Sequence, residues 1–343
     1  MVLPDFSAPL LHGGDLGAAR KLFPAAPEPF IDLSTGINPF PYPLPPLDPA
    51  TFARLPEPAT VERLAAIAAA AYGAPSAAHV VAAAGVQSLL PHAFALAPRG
   101  RAAVLAPTYA EHARVAALAG HAVRQVADVA DLAGADLAIV VNPNNPDGRL
   151  VARSELLVLA DALAPGLLVV DEAFMDVAPA DASLAPEVSR QNLVVLRSFG
   201  KFFGLAGLRL GFALAAPPVA ARLRAALGPW AVSGPALAIG AAALADKAWI
   251  ASTRARLAAA ARRLDGLLVA AGLELVGGTA LFRLVRTSDA ARVFDRLGRA
   301  GIFARRFASQ PAWLRFGLPH GEAAWQRLAM ALGPGTARPE PHG

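Results

Sequence analysis

The chain has 343 residues, of which 55 % are hydrophobic and 17 % charged, with a formal net charge of +5 and no cysteine. That length allows a large core and two structural units, while the missing cysteines exclude a disulfide framework, a thiolate metal site and a cysteine nucleophile. The positive charge is scattered over arginines such as Arg20, Arg54, Arg63, Arg99 and Arg114 instead of forming a basic stripe with aromatics, so no nucleic-acid partner is expected.

The start of the chain, MVLPDFSAPLLHGGD, places no basic region ahead of an apolar stretch and does not resemble a secretory signal. A cytoplasmic location is the default expectation. Residues 1–59 are rich in proline and glycine, with HGGD, DLSTGINPFPYPLPPLDP and LPEP in succession, and read as an extended arm with turns. Thr60 is the expected N-cap of a helix through VERLAAIAAAAYG, ended by Gly73.

From there short apolar runs alternate with helical stretches. HVVAAAG, RAAVLAPTY, DLAIVVNPNNPDG, GLLVVDEAF, NLVVLRSFGKFFG and LRLGFALA read as strands, the earlier ones separated by the helical VQSLLPHAFALA, ARVAALAG and SELLVLADALA. This is the pattern of an α/β protein with a mostly parallel sheet covered by helices on both faces. The uncharged run 225–245 approaches the length of a membrane span, but its two prolines and many small residues make it a poor one, so no membrane segment is expected.

After about residue 217 long helices take over (PVAARLRAALG and KAWIASTRARLAAAARRLDGLLVAAG). GGTALFRLVR then reads as a strand, DAARVFDRLGRAG as a helix, and IFARRF and AWLRFGLP as strands, which together make a smaller α+β domain. The expected division is an N-terminal arm over 1–50 joining the small domain, a large ligand-binding domain over 51–225, the small domain over 226–333 and a disordered tail over 334–343.

In an open α/β sheet, ligands sit beyond the carboxyl ends of the strands. Gly85, Val86, Gln87, Tyr109, Asn142, Asn145, Asp171, Ser198 and Lys201 all fall there. Each has a chemical role if the ligand is a phosphorylated aromatic aldehyde. Gly85 before a helix offers amides and a positive helix end to a phosphate, and Ser198 and Arg209 add a hydroxyl and a fixed cation. Tyr109 can stack on a ring, Asn145 can donate to a phenolic oxygen, and Asp171 can keep a ring nitrogen protonated. Asn142 reads as a turn former. Lys201 is one of only three lysines and lies in the apolar SFGKFFGLAGLRLGF, where an ammonium is costly to desolvate; it is either a packing accident or a nucleophile.

NPNNPDG, VVDEAF and SFGKFFGLAGLRLGF, in this order and spacing, resemble the pyridoxal-phosphate enzymes of the aspartate-aminotransferase fold, fold type I, in the branch that contains histidinol-phosphate aminotransferase. The resemblance covers roughly residues 30–320 and implies pyridoxal 5'-phosphate as cofactor, no metal, and a homodimer. It implies that Lys201 bonds the cofactor aldehyde, Asp171 holds the pyridinium nitrogen, Asn145 the phenolic oxygen and Tyr109 the ring face. Gly85, Val86, Gln87, Ser198 and Arg209 take the cofactor phosphate, and Arg315 in WLRFGLP the substrate carboxylate. Two positions depart from the family: Phe174 stands where a tyrosine usually follows the aspartate by three residues, and Leu55 where another tyrosine usually reaches the partner subunit's cofactor.

HGGD (12–15), DLSTGINPFPYP (32–43), DEAFMD (171–176) and WLRFGLP (313–319) resemble more narrowly the threonine-phosphate decarboxylase branch of cobalamin biosynthesis. That resemblance implies decarboxylation of O-phospho-L-threonine to (R)-1-aminopropan-2-yl phosphate. Asn38, His12 with the Gly13 and Gly14 amides, and Arg305 or Arg306 are the further candidates for substrate contacts, with strand alternation turning only one of the two arginines inward. The alternatives are an aminotransferase of the histidinol-phosphate type and a non-catalytic binding or regulatory protein on the same fold. Retention of Asp171, Lys201 and Arg209 together argues against the last.

Overall fold

The computed structural model describes residues 13–333; His12 and the tail expected over 334–343 lie outside them. Contacts divide the described residues into a larger unit, residues 41–145 and 149–251, and a smaller unit, residues 13–40, 146–148 and 252–333. Residues 226–251, expected with the small domain, cluster with the larger unit, and so do residues 41–50 of the expected arm.

The arm is less extended than its composition suggests. Asp15 caps helix α1 (Leu16–Leu22), its carboxylate accepting from the Ala18 amide, which turns the end of HGGD into a helix start. Strand β1 (Ile31–Leu33) and the short helix α2 (Ala50–Ala53) precede α3 (Pro58–Tyr72). Helix α3 opens on Pro58, whose missing amide donor is harmless in a first turn, so Thr60 lies inside the helix instead of capping it. Gly73 ends it at φ 80°, a conformation that favours glycine.

Seven strands form the sheet of the larger unit: β2 (Val80–Ala83), β3 (Arg101–Leu105), β4 (Ala122–Val126), β5 (Leu137–Val141), β6 (Leu167–Asp171), β7 (Leu193–Ser198) and β8 (Gly211–Ala215). Their order is β2-β8-β7-β6-β5-β3-β4, with β8 antiparallel to both neighbours and the remaining pairs parallel. Strands β5 and β6 are buried throughout, which is why LAIVV and LLVVD are unbroken apolar runs. Strand β4 lies at the sheet edge with a partly exposed AVRQV sequence, so no apolar run marks it.

Between the strands come α4 (Val86–Phe94), α5 (Glu111–Leu118), α6 (Arg153–Leu163) and α7 (Phe199–Phe202), followed by α8 (Pro217–Leu227) and α9 (Gly234–Ala245). Leu89, Phe94, Val104, Ile139, Val169, Leu196 and Leu223 belong to one core that joins helices to sheet. Helix α9 belongs to this unit because it packs on α3: a Cβ on Gly240 would lie 3.5 Å from Leu64 and collide with Leu210. Among the described residues no helix is long and apolar enough to cross a membrane.

Helix α10 (Lys247–Ala270) leads into β9 (Glu274–Thr279), β10 (Phe282–Arg286), α11 (Ala290–Arg299), β11 (Ile302–Arg306), β12 (Trp313–Gly317) and α12 (Gly321–Leu332). The smaller unit's sheet has the order β1-β11-β12-β10-β9. GGTALFRLVR, expected as one strand, is a hairpin in which Thr279 pairs with Phe282; the Thr279 hydroxyl accepts from the Leu281 amide and closes the turn. The arm enters this sheet through β1, which pairs in parallel with β11, Ile31 opposite Ile302.

Candidate active site

An anion cradle is built where β2 turns into α4. Gly85 caps the helix at φ 84° and ψ 160°, a region essentially reserved for glycine. Arg209, left-handed at φ 53°, leads into β8. Its guanidinium fills the space beside Gly85, so a Cβ there would lie 2.7 Å from Nη2. Gly211 is equally constrained, since its Cβ would lie 2.6 Å from the Val86 nitrogen. Ser198 pairs with Gly211 across β7 and β8. A helix N-terminus, a cation and a hydroxyl are thus gathered around two missing side chains, which suits a phosphate.

Asp171 ends β6. Its Oδ1 accepts from the Ala173 amide at 3.0 Å, and its Oδ2 accepts from His112 Nε2 at 3.0 Å. A carboxylate only accepts, so the imidazole proton is on Nε2; His112 Nδ1 has no hydrogen-bond partner among the described residues. His112 is fully buried in the first turn of α5. It carries no mark in the sequence beyond standing three residues after Tyr109, and no motif assigns it a role. The Tyr109 ring meets it edge-on at 5.6 Å, and the Tyr109 hydroxyl donates to Gln87 Oε1 at 3.4 Å. Gln87 Nε2 in turn donates to Glu111.

The asparagines of NPNNPDG divide their work. Asn142 clasps its own turn, donating to the Val151 carbonyl and accepting from the Val151 amide, as its reading as a turn former requires. Asn144 accepts from the Thr108 hydroxyl and donates to the Pro107 carbonyl, which ties this turn to the Tyr109 loop. Asn145 follows, half-buried.

Lys201 lies in α7, three residues after Ser198, and is half-buried with Nζ 6.0 Å from the centre of the Phe174 ring. Behind it, Phe203 stacks on Phe199 at 4.3 Å and on Trp249 at 5.5 Å. Tyr42 and Phe202 close the cluster edge-on. This wall makes the apolar surroundings of the lysine a fixed surface.

In the smaller unit, Arg305 on β11 stands directly opposite Arg315 on β12. Alternation sends Arg306 to the other face, where its guanidinium lies over the Phe294 ring at 4.9 Å. Arg315 is buried and donates to the Ser34 carbonyl at 2.7 Å. Burial, and then the neighbouring Arg305, lower its pKa to about 9, opposed by Asp32. The Ser34 hydroxyl bonds Asp32 and accepts from the Gly14 amide at 2.7 Å. That amide therefore holds the arm in place. Gly13 lies against the Ser34 carbonyl, where a Cβ would collide. Buried Asn38 accepts from the Phe40 amide.

A family model for aminotransferase class I and II matches residues 48–332. The chain belongs to this family. Within it, the chain is 48 % identical over 335 residues to a threonine-phosphate decarboxylase of Sinorhizobium sp, covering 95 % of this chain and 98 % of that one. It is 44 % identical over 328 residues to a threonine-phosphate decarboxylase of Pseudomonas aeruginosa, with 94 % and 97 % covered. The fold is that of histidinol-phosphate aminotransferase from Sinorhizobium meliloti in complex with pyridoxal-5'-phosphate (TM-score 0.79, 24 % identity, 95 % and 94 % covered). L-threonine-O-3-phosphate decarboxylase from Porphyromonas gingivalis shares it too (TM-score 0.70, 22 % identity, 83 % and 94 % covered). Pyridoxal phosphate is the cofactor of this aminotransferase family, and the chemistry of the Gly85–Arg209 cradle, of the carboxylate held by His112 and of Lys201 fits that group.

Proposed function

We propose that this aminotransferase-family enzyme is a pyridoxal-phosphate decarboxylase converting O-phospho-L-threonine to (R)-1-aminopropan-2-yl phosphate, the aminopropanol phosphate used in cobalamin biosynthesis. The observation that carries the reading is the pair Arg305 and Arg315, directly opposite each other on adjacent strands. Like charges placed so repel, and a substrate with both a phosphate and a carboxylate relieves that repulsion at two points. The near-full-length likeness to two threonine-phosphate decarboxylases supports the same substrate.

When bound, pyridoxal phosphate supplies an electron sink for a bond broken at the substrate Cα. Arg209, Ser198 and the amides of Gly85, Val86 and Gln87 would hold its phosphate. Asp171, oriented by His112, would keep its ring nitrogen protonated; Asn145 would donate to its phenolic oxygen and Tyr109 would cover its ring. Lys201 would bond its aldehyde. Arg315 would bind the substrate carboxylate and so set which bond at Cα is exposed to that sink. Lys201 Nζ would supply the proton that replaces the departing carbon dioxide at Cα. Arg305 is the cation for the substrate phosphate, beside the Asp32–Ser34 turn that also carries Gly14.

We take the working assembly to be a homodimer. Phe52, Leu55 and Trp230 of the larger unit are 70 %, 65 % and 59 % exposed, apolar side chains of the kind that a second copy would cover.

The deciding assay is carbon dioxide release from O-phospho-L-threonine with no keto acid added. Stoichiometric keto-acid product without carbon dioxide would transfer the enzyme to the aminotransferase reading. Lys201→Ala is expected to abolish the visible absorbance of the bound cofactor; its persistence would remove the role given to this lysine.

A further inference from the structure

Strand alternation gives the ends of β6 and β7 two faces. Asp171 and Ser198 turn to the candidate site, and the residues beside them, Glu172 and Arg197, turn away. The register agrees, since Asp171 pairs with Leu196 and the Glu172 amide donates to the Leu196 carbonyl. On that far face the Arg197 side chain is only 5 % exposed. Its Nη1 donates to Glu172 at 3.0 Å and its Nη2 to Asp176 at 2.7 Å. The guanidinium also lies 4.3 Å from the centre of the Tyr72 ring. Glu172 is held further by the Ser183 hydroxyl and the Leu184 amide, both at 2.7 Å.

Stability does not account for three charges buried together, because such a cluster generally adds no more than apolar side chains of the same shape. Geometry does. Glu172 and Asp176 belong to the turn that begins at Asp171 and contains Phe174, while Arg197 belongs to the strand that delivers Ser198 and Lys201. The two hydrogen bonds of Arg197 span these segments, and a guanidinium fork allows little freedom in either.

We propose that Arg197, acting through Glu172 and Asp176, is a positioning residue: a clamp behind the site that fixes the carboxylate of Asp171 and the amine of Lys201 relative to each other. The proposal rests on the pyridoxal-phosphate decarboxylase reading above.

The test is the shape-preserving variant Arg197→Met with Glu172→Gln and Asp176→Asn, loaded with pyridoxal phosphate and compared with the parent enzyme. Its midpoint of thermal unfolding is expected to equal or exceed the parent's. Its kcat is expected to fall about ten- to hundredfold with KM within about twofold, and the visible circular dichroism of its bound cofactor to change. Unchanged stability with unchanged kcat and dichroism overturns the clamp. Should this variant not fold, Arg197→Lys decides, since it keeps the buried charge but puts one nitrogen where two now bond. A kcat about tenfold lower supports the clamp, and full activity overturns it. The dichroism needs no substrate, so a parent enzyme that failed to release carbon dioxide would sink the decarboxylase reading while leaving the clamp separately measurable.

Discussion

The guanidinium of Arg209 occupies the space where a side chain on Gly85 would begin, with Nη2 2.7 Å from the position of that missing Cβ. Glycine is thus required twice over at residue 85, by its backbone angles and by its neighbour. Gly85→Ala is expected to destabilise the fold by about 1–3 kcal/mol and to displace Arg209. Titration of the variant with pyridoxal phosphate, followed by absorbance, should show an affinity at least about tenfold weaker, the equivalent of one lost charge-assisted hydrogen bond. Parent-like affinity would remove Arg209 from the cradle.

Arg305 and Arg306 offer a paired test of strand alternation. Arg305→Met is expected to raise KM for O-phospho-L-threonine about tenfold or more, because charge-assisted hydrogen bonds are worth about 1.5–3 kcal/mol. Arg306→Met, on the opposite face over Phe294, should leave KM within about twofold. Steady-state kinetics of the two variants, in parallel, distinguish the faces; the reverse ranking would reassign the phosphate.

Arg315, lowered to about 9 by burial and by Arg305, is a cation at neutral pH and loses its charge as pH rises through that value. The decarboxylation kcat/KM should therefore decline above about pH 9 through a rise in KM, and Arg315→Met should lack that limb. Stability moves the other way. Between about 9 and the ordinary arginine value the unfolded chain binds more protons than the folded one, so this group's contribution to stability rises with pH across that window. A pH series of kcat/KM and of thermal unfolding checks both signs.

His112→Leu removes one of the two donors that hold Asp171. An acceptor left unsatisfied when buried costs about 1–3 kcal/mol, and the loss should appear in kcat, about 5- to 160-fold by the same arithmetic, with KM little changed. A change confined to KM would separate His112 from the ring-nitrogen contact.

Much of the larger unit could be read directly because its strands are buried on both faces, which forces unbroken apolar runs such as LLVVD and LVVL. Edge strand β4 escaped because burial asks nothing so strict of AVRQV. The helix expected from Thr60 starts earlier because Pro58 serves as well at a helix start. The hairpin in GGTALFRLVR is hidden because its turn is closed by a threonine hydroxyl, with no Asn-Gly or Pro-Gly to announce it. His112 is hidden for a different reason: a single imidazole in a helix has no pattern until a strand from 59 residues away places a carboxylate against it.

By itself the sequence determined the chemistry on offer: a lone lysine in SFGKFFG, an aspartate ending an apolar strand, and a glycine where a strand meets a helix. Those depend on residue type and on local spacing, which the chain carries in one dimension. Only the tertiary structure decided which of two adjacent arginines shares a face with Arg315, that Arg209 is the group pressed against Gly85, and that Glu172, Asp176 and Arg197 close behind Asp171 and Ser198. These are relations between strands distant in sequence, set by register and by the exclusion of volume in a packed interior.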